Sequence, residues 1–207
     1  MDYLLLVEKL IEIGGLKTLL LIEAFKKNNR ADFVPEEFKK ETGFDMSLPI
    51  GFGQTNSQPY TVAFMLELLQ PQPGEKIMDV GAGSGWTSAL LAYCVGEGGR
   101  VFAVERIPEL CEFGKKNVSK YNFTNMGIVK IVCGDGNLGL SEEAPFDKIL
   151  VSASAKESPL ALKEQLKVGG KMVLPIQNSI WLVTKKSKNK FEQKEFPGFA
   201  FVPLISD

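Results

Sequence analysis

The chain reads as an α/β protein: a doubly wound, mainly parallel sheet with an antiparallel edge, preceded by N-terminal helices. Three observations predict this. From residue 75 onward, short apolar strands alternate with helical stretches, the pattern of parallel strands joined by crossovers. Glycines at 81, 83 and 85 follow the first of those strands and open a helix. Near the C-terminus, two apolar runs flank a turn at Gln177-Asn178-Ser179, as antiparallel edge strands do.

The elements follow in order. Residues 4–13 and 16–27 carry apolar residues at helical spacing, interrupted by Gly14-Gly15, and the second helix packs Leu19, Leu20 and Phe25. Phe33-Val34-Pro35-Glu36-Glu37 opens a new element. Residues 43–59 are rich in Gly, Pro, Ser, Thr and Asn and read as a loop. A loop that long within a compact domain points to function. Pro59 suits the first turn of a helix reaching Leu69. Lys76–Val80 is a strand, Trp86–Val95 a helix, Arg100–Glu105 a strand, and about 108–120 a helix. Strands at 127–133 and Phe146–Ser152 precede a helix at 157–167, ended by Val168-Gly169-Gly170. Lys171–Pro175, Ile180–Lys185 and Phe199–Leu204 complete the strands. One domain, 1–207, is expected, with 1–74 giving the helices and loop and 75–207 the sheet.

Composition narrows the chemistry. A hydrophobic content of 44% in 207 residues suffices for a buried core. The 24 basic and 25 acidic residues nearly cancel, which argues against nucleic acid held mainly by charge. There is no histidine, so Ser-His-Asp and Cys-His schemes are excluded. Carboxylates, hydroxyls, lysines or a cofactor remain. Cys94, Cys111 and Cys133 are widely spaced and read as reduced core residues; no spacing suggests a metal site. The apolar run Tyr3-Leu4-Leu5-Leu6-Val7 is too short for a signal peptide or membrane span. A cytoplasmic monomer without a membrane partner is expected.

The strongest local signal is Asp79-Val80-Gly81-Ala82-Gly83-Ser84-Gly85, between a strand and a helix. Such a loop lets backbone approach a ligand and offers amides at a helix N-terminus. The position that dinucleotide-binding loops fill with a third glycine is Trp86 here. Asp79 would repel a pyrophosphate but suits the cationic, amino-bearing end of S-adenosylmethionine. Glu105 ends the next strand, where a carboxylate can accept both ribose hydroxyls. Asp135, within Gly134-Asp135-Gly136, ends the following strand and can accept from an adenine amino group. Taken singly, residues such as Glu105 and Asp135 are more often solvated strand ends or helix caps. In this order and spacing, they point to a nucleoside-type cofactor and say little about substrate.

Substrate identity comes from a resemblance. Leu48-Pro49-Ile50-Gly51-Phe52-Gly53-Gln54-Thr55-Asn56-Ser57-Gln58-Pro59 is similar to the signature loop of protein-L-isoaspartate O-methyltransferases. The likeness extends to Phe33-Val34-Pro35-Glu36, Asp79 to Gly85, Val104-Glu105-Arg106, Gly134-Asp135-Gly136, Ala144-Pro145-Phe146-Asp147, Leu162 to Gly170 and Phe201-Val202-Pro203-Leu204. It therefore covers almost the whole chain. The signature loop is specific, whereas the glycine motif alone marks the wider methyltransferase superfamily.

The resemblance implies a sheet of the class I methyltransferase type. It implies methyl transfer from S-adenosylmethionine, leaving S-adenosylhomocysteine, to L-isoaspartyl carboxylates in damaged proteins or peptides. Repair then proceeds through a succinimide. Ser57 matches the serine treated as the active-site residue, and Ile50, Gly51, Gln54, Thr55 and Asn56 would hold substrate beside it. Asp79, Gly81, Gly83, Ser84, Gly85, Glu105, Arg106, Gly134, Asp135 and Gly136 would hold the cofactor. A carboxylate is ionised at neutral pH and needs no general base, so the missing histidine costs this chemistry nothing. Several positions depart from the family pattern. Asn56 stands where an aliphatic residue, usually isoleucine, is expected. Asn137 replaces a bulky residue, and Ser152 to Lys156 differ from the familiar run. Arg30-Ala31-Asp32 replaces a Pro-Arg pair before Phe33. These changes fall on the inferred substrate side. They leave open methylation of a normal aspartate or another acid, or cofactor binding without catalysis.

Overall fold

The computed structural model describes residues 2–155 and 157–201. Helices α1 (Tyr3–Glu12) and α2 (Leu19–Lys27) form where the apolar spacing places them. Asp2 caps α1 by accepting from Leu4 N at 3.1 Å, pairing an amide that has no partner inside the helix. The element expected from Phe33 resolves into two 3-10 turns, Arg30–Phe33 and Glu36–Glu41.

The stretch read as a loop contains a hairpin. Strand β1 (Leu48–Gly51) pairs antiparallel with β2 (Gln54–Asn56). Phe52 and Gly53 between them have φ of 53° and 71°. Two consecutive positive φ values make the turn whose twist matches paired strands. The strands are too short to show alternation, which hides them from a reading by pattern. Helix α3 (Pro59–Leu69) starts at its proline as expected.

Next come β3 (Lys76–Val80), α4 (Trp86–Val95), β4 (Arg100–Glu105), α5 (Pro108–Ser119), β5 (Val129–Cys133) and β6 (Phe146–Val151). Helix α6 (Leu160–Glu164) is shorter than expected, and β7 (Leu166–Ile176) begins before the glycines at 169 and 170. Those glycines serve a strand irregularity, not a helix end. A Cβ on Gly170 would lie 2.9 Å from the carbonyl oxygens of Asp147 and Lys167. There the β6–β7 register shifts, a usual place for glycine in a strand. Strands β8 (Ser179–Ser187) and β9 (Lys190–Pro197) form the antiparallel edge. β9 takes the place of the expected last strand: residues 199–201 lie in no strand, and 202–204 fall outside the described residues. Its charged sequence, Lys190-Phe191-Glu192-Gln193-Lys194-Glu195, suits a solvated edge and gives no apolar signal.

The sheet order is β5-β4-β3-β6-β7-β8-β9, with β3 to β7 paired in parallel. The connections run outward in opposite directions from β3 and β6. A crevice therefore opens at their carboxyl ends, where doubly wound sheets bind ligands. One apolar core joins Leu6, Val7 and Phe25 of the N-terminal helices to Ile77, Leu90, Leu150 and Val173. A second, containing Met78, Val80, Phe146 and Leu174, gathers other sheet residues. No helix among the described residues is long and apolar enough to cross a membrane.

Packing of α5 beside β5 brings Cys111 and Cys133 together as a disulfide, their Cα atoms 6.0 Å apart. This corrects the expectation of three reduced thiols. Cys94 is free and buried.

Candidate active site

The glycine loop between β3 and α4 is shaped by three positive φ angles, 78° at Gly81, 52° at Gly83 and 85° at Gly85. Gly85 also has no room for a side chain. A Cβ there would sit 2.7 Å from Val118 Cγ2 and 3.1 Å from Gly114 O, so α5 packs directly on the loop. Gly81 N and Ala82 N donate to Val104 O at 2.8 and 3.1 Å. Gly83 N donates to Glu105 Oε2 at 2.9 Å, and Ile107 N donates to Oε1 at 2.9 Å. Glu105 thus ties the loop after β3 to the end of β4.

Asp79 lies beneath this loop, fully buried. The hydroxyls of Thr87 and Ser88 each donate to its Oδ2 at 2.7 Å. Oδ1 has no partner among the described residues. Burial pushes the carboxyl up to about 6; the two hydroxyls oppose that shift and the charge of Glu105 adds to it. A buried carboxylate with an unused acceptor fits a cationic or donating ligand group nearby.

The β1–β2 hairpin sits over the same loop. Ile50 Cδ1 lies 3.1 Å from where a Cβ on Gly83 would project, and Asn56 Nδ2 donates to Ser84 Oγ at 3.1 Å. Between hairpin and loop is a cavity lined from both sides. The hairpin side contributes Ile50, Gln54, Thr55, Asn56 and Ser57. The sheet side contributes Gly81, Gly83, Ser84, Glu105, Arg106 and Gly136. All of these were expected at the site.

Five expected residues do not line the cavity, each for a visible reason. Gly51 leads into the hairpin turn, Asp79 lies below the loop, and Gly85 faces α5. Gly134 N donates to Glu105 O at 2.9 Å. Asp135 Oδ1 accepts from Asn137 N at 2.9 Å, capping the 3-10 turn Gly136–Leu138. The helix-cap reading of Asp135 therefore describes its contacts. Sequence reasoning missed Val80, Ala82, Trp86, Thr87, Val104 and Ile107 on the wall, and placed Ser152 and Ala153 only within a departing run on the substrate side. Ser152 and Ala153 follow β6, the parallel neighbour of β3. The strand order alone would have pointed to them.

The sheet order, the glycine loop at its switch point and the acid ending β4 define a class I methyltransferase. Solved structures carry the same fold. A protein-L-isoaspartate O-methyltransferase 27% identical to this chain matches with TM-score 0.89, covering 99% of this chain and 66% of that one. A β-aspartate methyltransferase from Plasmodium falciparum, solved in complex with S-adenosyl-L-homocysteine, also matches with TM-score 0.89 at 24% identity, covering 100% of both chains.

The family model for protein-L-isoaspartate(D-aspartate) O-methyltransferase (PCMT) matches residues 3–207, and the chain belongs to that family. Curated relatives named protein-L-isoaspartate O-methyltransferase include one from Methanopyrus kandleri, 45% identical over 98% of this chain and 90% of its own length. Another, from Aeropyrum pernix, is 44% identical over 98% of this chain and 78% of its own.

Proposed function

We propose that this chain transfers a methyl group from S-adenosylmethionine to the free carboxylate of L-isoaspartyl residues in damaged proteins or peptides. The adjacent backbone amide nitrogen can then attack the ester and expel methanol, and hydrolysis of the resulting succinimide returns part of it to normal aspartate. One observation carries the reading: the hairpin bearing Thr55 and Ser57 and the glycine loop bearing Gly81, Gly83 and Ser84 wall a single cavity.

The donor supplies an electrophilic sulfonium methyl when bound. Gly81, Gly83 and Ser84 would hold its methionine end, with Glu105 and Arg106 toward the ribose and Gly136 toward the adenine. Asp79 acts from below through its charge, while Gly85, Gly134 and Asp135 shape the backbone around the site. The orphaned Asp79 Oδ1 and the glycine loop fit this cofactor.

On the acceptor side, Ser57 and Thr55 hold the isoaspartyl carboxylate, flanked by Ile50, Gln54 and Asn56 and the turn that Gly51 enters. Ser57 is half-buried and serves as a positioning donor, not a covalent nucleophile. The acceptor is already an anion at neutral pH, so no residue has to remove a proton. Val80, Val104 and Ile107 line the cavity with apolar surface and keep water from competing. The work of the chain is alignment in a partly dry site.

The reading extends to a cytoplasmic monomer, and the near balance of 24 basic and 25 acidic residues supports action without nucleic acid. The test is radiolabelled methyl transfer to an isoaspartyl peptide beside its aspartyl twin. Labelling of the isoaspartyl form alone is expected. Preference for the aspartyl form would mean a retargeted enzyme, and cofactor binding without labelling of either would mean a lost activity.

A further inference from the structure

Arg30 is among the largest side chains that the fold buries completely. No ion pair among the described residues includes it. Its donors go instead to the segment around Ser57. Nη2 donates to the carbonyls of Met46, Asn56 and Ser57 at 2.7, 3.2 and 3.0 Å. Nη1 donates to Phe44 O at 3.2 Å, and Nε donates to Asn56 Oδ1 at 2.8 Å. The guanidinium also lies 5.4 Å from the centroid of Trp86, the first residue of α4. Burial pushes its pKa down to about 10, so it remains a cation at neutral pH.

The orientation of the Asn56 amide follows from this. An arginine Nε can only donate, so the amide oxygen must face it and Nδ2 must face away. What Nδ2 meets is Ser84 Oγ, 3.1 Å off. Asn56 and Ser84 are each 3% exposed, so water does not replace either bond. One side chain thereby joins the residue beside Ser57 to the middle of the glycine loop. An aliphatic side chain at 56 would leave both Arg30 Nε and Ser84 without that partner.

We propose that Asn56 is a positioning residue whose amide couples the glycine loop to the hairpin, so that a nucleoside ligand on Gly81–Gly85 orders Thr55 and Ser57 for the acceptor carboxylate. The identity of both ligands rests on the methyltransferase reading above; the coupling itself is a property of Arg30, Asn56 and Ser84. Filling the loop side fixes Ser84, Ser84 fixes the amide, and the amide fixes the end of β2, which Ser57 follows. A network with buried, mutually oriented members transmits such a constraint.

The test is amide hydrogen exchange of residues 52–58 with and without saturating S-adenosylhomocysteine. In the unmodified chain the ligand should slow exchange there by about 10-fold, the scale of one coupled hydrogen bond. Asn56→Leu keeps the branched four-heavy-atom skeleton and removes both bonds, so the slowing should vanish. Ser84→Ala cuts only the far end and should abolish it too, which keeps the test valid if Asn56→Leu fails to fold. Asn56→Asp keeps an acceptor for Arg30 and can accept from the Ser84 hydroxyl, so it should restore the slowing. On an isoaspartyl peptide, Asn56→Leu should lower kcat by about 10-fold and leave KM nearly unchanged, the sign of lost alignment in the transition state. Equal slowing in the unmodified chain, Asn56→Leu and Ser84→Ala would overturn the proposal, as would no slowing in the unmodified chain. The exchange arm needs no methyl acceptor, so an error about isoaspartate would leave its outcome intact.

Discussion

The glycine loop and the hairpin face each other across one cavity but are held by different means. The loop is clamped sterically: Gly85 has Gly114 and Val118 against it, and the loop amides are tied to Val104 and Glu105. The hairpin is a short two-stranded piece apart from the main sheet, supported by the donors of a single buried cation, Arg30. One side is fixed by the exclusion of atoms together with backbone hydrogen bonds, the other chiefly by a polar side-chain network. The cofactor side should therefore be intolerant of added volume, and the acceptor side intolerant of lost donors.

The sharpest way to break this contrast is Gly85→Ala. At φ 85°, with Val118 Cγ2 2.7 Å from the new methyl, it should cost about 2–4 kcal/mol in urea unfolding. A variant as stable as the parent would refute the steric clamp. Arg30→Met should cost about 2–3 kcal/mol by leaving carbonyls of the Ser57 segment unpaired. It should abolish most methyl transfer yet weaken S-adenosylhomocysteine binding in calorimetry by no more than the roughly 10-fold of the coupling. Equal damage to both would show that the two sides share one support.

Ser57→Ala makes a smaller change. Loss of one hydrogen bond to a charged acceptor should slow methyl transfer by about 10-fold, with cofactor affinity unmoved; an unchanged rate would remove Ser57 from the site. The mildest effect concerns pH. Burial raises the Asp79 carboxyl to about 6, so the empty fold holds that proton longer than an unfolded chain does. The stability this contributes is present below the ordinary carboxylate range and lost as pH rises through about 6. A ligand that prefers the anion binds with the opposite slope. S-adenosylhomocysteine affinity should climb as pH rises toward 6 and level off above it. A flat profile from pH 5 to 7 would detach Asp79 from binding.

The same contrast governs what was legible in the sequence. The strands and helices from Lys76 to Val151 declare themselves because βα alternation writes a period into the residues, and Gly81, Gly83 and Glu105 fall at its junctions. The hairpin is nearly silent, since its strands are too short to alternate and its turn depends on positive φ at Phe52 and Gly53. β9 escapes because an edge strand is charged for the very reason that it is an edge. Arg30 stands out only as a departure from the family pattern, with nothing to show its role. Its hydrogen-bond partners lie up to 27 residues away, and only folding brings its donors under Ser57. Likewise, Cys111 and Cys133 are joined by packing of α5 on β5, which their spacing does not announce.

The central claim is that one cavity brings a nucleoside ligand and an isoaspartyl carboxylate together from opposite walls. Amide-resolved magnetic resonance during stepwise titration tests it directly. S-adenosylhomocysteine should first shift Gly81, Gly83, Ser84 and Glu105, and an isoaspartyl peptide added next should shift Gln54, Thr55 and Ser57. Shifts confined to surfaces away from this cavity, or a peptide that displaces the nucleoside, would contradict the account.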